Sequence, residues 1–244
     1  ETPDRERILS EEMKGSPENP KELGRQLAGK IRTMESRKHS SSFAFENPPL
    51  SGRVYLVGAG PGDPALISLK GTECITKADV VIYDRLVNKK LLEYVGGKCK
   101  LVYMGKLAGE SSSQERINKT MLREARSGKV VVRLKGGDPF LFGRGGEEVE
   151  FLAENNIGFE VVPGICSALA APVYAGIPLT HRRFSSSLTI VTGHEDPSKE
   201  TSAVDWASLA RQEGTLVILM GLANFSQIAK ELIQAGKKEN TPCA

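Results

Sequence analysis

From Gly52 onward the chain alternates short β-branched apolar runs with stretches whose apolar residues recur every three or four positions. The first pattern is that of buried strands and the second that of helices packed on a sheet. Strands are expected at 53–58, 79–83, 100–104, from 130, and at 159–162. Helices are expected between them at 64–77, 88–95, 114–127 and 147–155. In the third helix Ile117, Met121, Leu122 and Ala125 fall on one side. Repeated βα units specify a parallel, helix-covered sheet. Pro163-Gly164 breaks the pattern, and the segment 165–174 is small and Ala-rich. After Pro178 a second α/β run follows, with strands at 187–192 and 216–220 and helices from 204 and at 224–235.

Residues 1–50 carry dense mixed charge. Leu23, Leu27, Ile31 and Met34 lie there at near-helical spacing, which predicts one amphipathic helix over about 20–37. Such a helix needs a partner surface to be stable. The chain is therefore read as a charged extension or linker at 1–50, an α/β domain at 51–170 and a second α/β domain at 171–244.

The stretch VVVRLKGGDPFLFGRGGEE, 130–148, organises the rest. A strand feeding a glycine-rich loop is where an α/β protein takes its ligand, at the carboxyl edge of the sheet. Glycines there let the backbone approach a ligand closely, because no Cβ intervenes. Asp138 sits inside the loop, with Arg133, Lys135 and Arg144 flanking it. One acid among several bases suits a ligand with a cationic part and anionic carboxylates.

Composition narrows the classes. Hydrophobic residues are 39% and charged residues 26%, as in ordinary globular proteins. A net charge of +3 is too small to argue for nucleic acid or a membrane surface. Cys74, Cys99, Cys166 and Cys243 show no CxxC or zinc spacing, which favours a reducing, cytoplasmic setting and predicts no metal. No apolar run approaches the roughly 20 residues a membrane helix needs.

Gly58-Ala59-Gly60-Pro61-Gly62-Asp63 directly follows the first strand. It is not a dinucleotide fingerprint: the third glycine comes one residue early, and Asp63 stands where pyrophosphate would meet a helix. Asp63 is better suited to cap the helix expected from Pro64.

In order, GAGPGD, YDRLV (83–87), MGK (104–106), VRLKGGDPFLFGRGGEE, PGICSA (163–168), GIPLTHR (176–182), VTGH (191–194) and LMG (219–221) resemble the uroporphyrinogen-III C-methyltransferases of the tetrapyrrole methylase superfamily. The resemblance covers the chain from about Gly52 to its end. It implies two αβα domains of the tetrapyrrole methylase type with a cleft between them, S-adenosylmethionine as methyl donor, and a homodimer. It also implies two successive methyl transfers to uroporphyrinogen III, giving precorrin-2 for sirohaem and cobalamin. By resemblance, Pro61, Gly136, Gly137, Asp138 and Leu141 line the cofactor site, with Cys166, Ser167 and Met220. Asp84 matches the family's proton acceptor and Lys106 its proton donor. Read without the family, Asp84 is a helix cap or a partner of Arg85, and Lys106 a solvated lysine. Arg85, Arg133, Arg144, His181, Arg182 and Arg183 are candidate partners for the substrate's carboxylates, since guanidinium pairs well with them.

Two departures stand out. Cys166 occupies a position where Thr is expected in many relatives. The chain also ends where the family's next strand begins, so the second domain is expected to be incomplete and the 244-residue chain poorly soluble or weakly active. Three other readings stay open: a later precorrin methylase, a non-catalytic tetrapyrrole- or cofactor-binding fragment, and an NAD-binding domain. The GRGGEE ending and the PLTHR turn weigh against the first.

Overall fold

The computed structural model describes residues 52–105, 114–195 and 203–244. The expected helix at 20–37 lies outside them. Five parallel strands form the first sheet: β1 (Arg53–Gly58), β2 (Val80–Tyr83), β3 (Lys100–Tyr103), β4 (Val130–Lys135) and β5 (Gly158–Val162). Their spatial order is β3-β2-β4-β1-β5. The helices are α1 (Leu69–Thr76), α2 (Gln114–Arg126), α3 (Gly145–Glu154) and α4 (Ser167–Tyr174).

Successive residues of a strand face opposite sides of the sheet, so each central strand feeds two cores. On one side Val54, Leu56, Val80, Ile82 and Val131 pack with Ile117, Met121 and Ala125 of α2 and Leu152 of α3. On the other, Val57, Val81, Val132 and Leu134 pack with Cys74 and Ile75 of α1 and with Leu91. Full burial of each such aliphatic side chain contributes about 1.5–3 kcal/mol, which makes the strand register hard to slip.

The order of strands creates a switch point. After β1 the chain passes over to β2 and β3, then returns to insert β4 beside β1. The helix after β1 covers one face and the helix after β4 the other. The loops leaving β1 and β4 therefore diverge at adjacent carboxyl ends and open a crevice.

Two expected helices differ in detail. The segment 64–77 is not continuous: Pro64–Leu66 is a 3-10 turn, Ile67 and Ser68 are extended, and α1 begins only at Leu69. The break follows from a second cap, since the Ser68 hydroxyl accepts the Gly71 N–H at 3.0 Å. Asp63 does cap the first turn, accepting the Ala65 N–H at 2.9 Å. The segment 88–95 is a 3-10 helix, Lys89–Tyr94. Asn88 caps it and ties it to the Gly62 carbonyl at 2.7 Å.

A second parallel pair follows, β6 (Leu188–Thr192) and β7 (Thr215–Leu219), with α5 (Trp206–Arg211) and α6 (Phe225–Gln234). The first sheet lies within 51–170 and the second within 171–244, and α4 runs across position 170. All four cysteines are free thiols. Among the described residues no helix is long and apolar enough to cross a membrane, and no cluster of three or more potential metal ligands occurs.

Candidate active site

The crevice at the switch point is built from three glycine-bearing turns. Gly60 and Gly137 form an antiparallel bridge, with Gly137 N–H donating to the Gly60 carbonyl at 2.7 Å and the return bond at 3.3 Å. The turn after β5 closes against both: a Cβ on Gly58 would lie 2.5 Å from Gly164 Cα and 2.7 Å from the Gly137 oxygen. No side chain fits between backbones this close. Gly137 is in the left-handed region at φ 68°.

Asp138 locks the arrangement. One carboxylate oxygen accepts the Phe140 N–H at 2.8 Å, and the other accepts the Gly164 N–H at 2.9 Å. Its carboxylate is thus spent on joining the loop after β4 to the turn after β5. Cys166, buried at the start of α4, caps that helix with its sulfur 3.4 Å from the Ala168 nitrogen. Ser167 is the first residue of α4. On the α1 side of the crevice the Tyr174 hydroxyl donates to Asp63 at 2.9 Å. The Ala65 N–H and this hydroxyl hold the Asp63 carboxyl below its ordinary value. The same bond raises the Tyr174 phenol.

The structure thus brings Pro61, Gly136, Gly137, Asp138, Cys166 and Ser167 together on three adjoining turns. Leu141 lies in the same loop as Asp138, half-buried. Met220 sits at the carboxyl end of β7, in the left-handed region at φ 57° and exposed. Gly136 faces the YDRLV turn, where a Cβ on it would meet Leu86 Cβ at 2.8 Å.

Asp84 immediately follows β2. Its two oxygens accept from the Leu86 N–H at 3.0 Å and from Arg133 at 3.2 Å. The expected alternative partner, Arg85, is not the one observed. Lys106 lies outside the described residues.

The expected carboxylate partners separate into two groups. Arg85, Arg144, His181, Arg182 and Arg183 are exposed. Arg144 holds Glu147 through two bonds of 2.8 and 2.6 Å. His181 stacks on Phe184 with ring centroids 4.8 Å apart, and Arg183 lies 5.4 Å over the same ring. Arg133 departs from the expectation, because its side chain is only 4% exposed. Strand alternation puts it on the α2–α3 side beneath the helices, where it bonds to Asp84 and Glu148.

Glu148 was not singled out from the sequence. It lies at 0% exposure between Arg133 and Lys135, whose ammonium is 2.9 Å from Glu148 Oε2. That contact is an ion pair without a hydrogen bond's angle, since the same oxygen has no aligned donor. Burial and the neighbouring Arg133 charge push the Lys135 ammonium down, and Glu148 opposes them. A signal was present in the sequence: Glu148 lies four residues before Leu152, hence on the inward face of α3. Separately, a cavity between β3 and α2 is lined by Val102, Met104 and Thr120, none of which belongs to the expected site.

A parallel sheet with a glycine-lined crevice at its switch point, and an acid tied beside it, defines an α/β protein that receives a small ligand at its strand ends. Residues 53–244 match the family model described as tetrapyrrole (corrin/porphyrin) methylases, and the chain belongs to that family. It is 54% identical over 194 residues to the uroporphyrinogen-III C-methyltransferase of Priestia megaterium, covering 79% of this chain and 81% of that one. It is 52% identical over 194 residues to the S-adenosyl-L-methionine-dependent uroporphyrinogen III methyltransferase of Methanosarcina barkeri, covering 79% and 76%. The fold is similar to the crystal structure of uroporphyrin-III C-methyl transferase from Thermus thermophilus complexed with S-adenosylhomocysteine. There the TM-score is 0.66 at 46% identity, covering 77% of this chain and 78% of that one.

Proposed function

We propose that this chain methylates uroporphyrinogen III at two ring carbons, using S-adenosylmethionine, to give precorrin-2 for sirohaem and cobalamin synthesis. The observation that carries this reading is the meeting of the GAGPGD, GGDPF and PGIC turns at the switch point. A Cβ built on Gly137 would meet nothing nearer than Cys166 Cα at 4.0 Å, which supports this placement of the cofactor. Open space therefore faces the backbone there. When bound, S-adenosylmethionine supplies an electrophilic methyl group on its sulfonium sulfur. Pro61, Gly136, Gly137, Asp138, Leu141, Cys166, Ser167 and Met220 are assigned to holding it.

The substrate's pyrrole carbon is itself the nucleophile, so no side chain need act as one. The protein's work is alignment and proton handling. Asp84, at the carboxyl end of β2, accepts a proton from the methylated ring, and Lys106 donates one. Arg85, Arg144, His181 and Arg182 pair with acetate and propionate groups. The same reading includes a homodimer.

The test supplies methyl-labelled S-adenosylmethionine and freshly generated uroporphyrinogen III to the purified protein. Two labelled methyl groups per tetrapyrrole are expected, with binding of S-adenosylhomocysteine and none of NAD by calorimetry. Label transfer only when a later precorrin is supplied in place of uroporphyrinogen III would assign the chain to a later step. Loss of both transfer and cofactor binding would reject the reading.

A further inference from the structure

All three nitrogens of Arg133 are engaged inside the protein, and its side chain is only 4% exposed. Nε donates to Glu148 Oε1 at 3.2 Å, one Nη to the Leu134 carbonyl at 3.1 Å, and the other Nη to Asp84 Oδ2 at 3.2 Å. Glu148 is fully buried and receives Gln114 Nε2 at 3.0 Å as well. Swinging Arg133 out to a substrate carboxylate would take away one of the two cations paired with that buried charge and leave Lys135 alone against it. Asp84 and Glu148 face Arg133 and Lys135 as two acids against two bases.

Asp84 differs from the other three because its side chain is 26% exposed. Oδ1 is held by the Leu86 N–H and Oδ2 by Arg133, so the carboxylate plane is held from both sides while one edge stays open. The sheet explains how the pieces meet. Ile82 pairs with Arg133 across β2 and β4, and both Asp84 and Arg133 lie on the α2–α3 side. Glu148 comes to the same place from α3, one helical turn before the buried Leu152.

We infer that Arg133, anchored by Glu148, is a positioning residue that holds the Asp84 carboxylate in one orientation at the carboxyl edge of the sheet. This rests on Asp84 being the proton acceptor proposed above. Arg133 is then removed from the set of substrate partners, and Glu148 acts one step further back. A planar guanidinium is required, because it bridges two carboxylates with directed bonds that a single ammonium cannot reproduce.

The experiment is a cycle of four proteins: wild type, Asp84→Asn, Arg133→Lys and the double variant. Each is checked for a cooperative melting transition and for S-adenosylhomocysteine affinity. Methylation of uroporphyrinogen III is then resolved into kcat and KM. With Asp84 present, Arg133→Lys should lower kcat by about tenfold or more, with KM and cofactor affinity within about twofold. In the Asp84→Asn background the same substitution should change kcat less than about threefold, because the group it positions is gone. A KM raised about tenfold with kcat retained would make Arg133 a substrate partner and overturn the inference, leaving Asp84 as proton acceptor. Equal losses in both backgrounds would also overturn it. Asp84→Asn at the wild-type rate would remove the proton acceptor, and the positioning role with it. If Arg133→Lys does not fold, Glu148→Gln replaces it in the cycle, with the same outcomes deciding.

Discussion

Gly164 and Gly137 are in backbone contact: a Cβ placed on Gly164 would lie 2.2 Å from the Gly137 carbonyl oxygen and 2.7 Å from Gly58 Cα. Three loops that are far apart in sequence are packed here without intervening side chains. Gly164→Ala should therefore destabilise the protein by about 1–3 kcal/mol or more, since backbone has to move to admit the methyl group. Gly146→Ala is the control: its Cβ would have nothing within 4 Å, in the first turn of α3. That change should be neutral or stabilise by up to about 1 kcal/mol. Urea midpoints of the two variants, at unchanged slope, are the measurement.

Gly137 adds a conformational requirement to the steric one. At φ 68° a β-branched residue is strained, and its side chain would enter the open space before Cys166. Gly137→Val is expected to weaken S-adenosylhomocysteine binding at least about tenfold, or 1.4 kcal/mol, by calorimetry. A folded variant with wild-type affinity would remove this loop from the cofactor site.

Asp84→Asn keeps the shape of the side chain and removes the base, and Lys106→Met removes the donor. Each should lower the methylation rate by roughly two to four orders of magnitude while cofactor affinity stays near wild type. A wild-type rate for Asp84→Asn would leave Asp84 as a loop-tying acid between Leu86 and Arg133.

Glu124 offers a pH test away from the chemistry. It is buried on α2 and bonded to Lys129 at 2.6 Å and Lys100 at 2.9 Å, with Arg123 at 3.2 Å. The Lys129 bond above all, then Lys100, holds its carboxyl down from 4.5 to about 2. A carboxyl depressed on folding adds stability that is fully present above its unfolded value and lost as pH falls toward the folded one. Allowing for the solvent around the two lysines, that contribution is on the order of 1–2 kcal/mol. Glu124→Gln should therefore lower stability by this amount at pH 7. The gap between the two proteins should narrow below about pH 4.5 and close near pH 2. A gap that stays constant with pH in denaturant titrations would show that the ion pairs are not its source.

Much of the site was legible because its residues are adjacent in sequence to features with strong local signatures. GAGPGD follows a β-branched run, and Asp63 caps the next turn as its position implies. The break at Ile67–Ser68 was not legible, because apolar spacing runs on through 64–77 while a serine hydroxyl starts a new helix. The burial of Arg133 was not legible for a different reason. In sequence it is one of several bases around a glycine loop, and nothing local distinguishes a buried guanidinium from one that meets a substrate.

The sequence by itself determined the alternation of strand and helix, the positions of the glycine turns and the family. These depend on periodicity, on backbone freedom and on motif order, all of which are properties of neighbouring residues. Only the tertiary structure decided which loops meet and which charges are spent internally. The placing of β4 between β1 and β2 brings Gly60 to Gly137 and Asp84 to Arg133. Glu148 arrives beside them only because α3 packs on the α2 side of the sheet. Burial turns those proximities into obligatory pairs, since a charge removed from water must find its partner within reach.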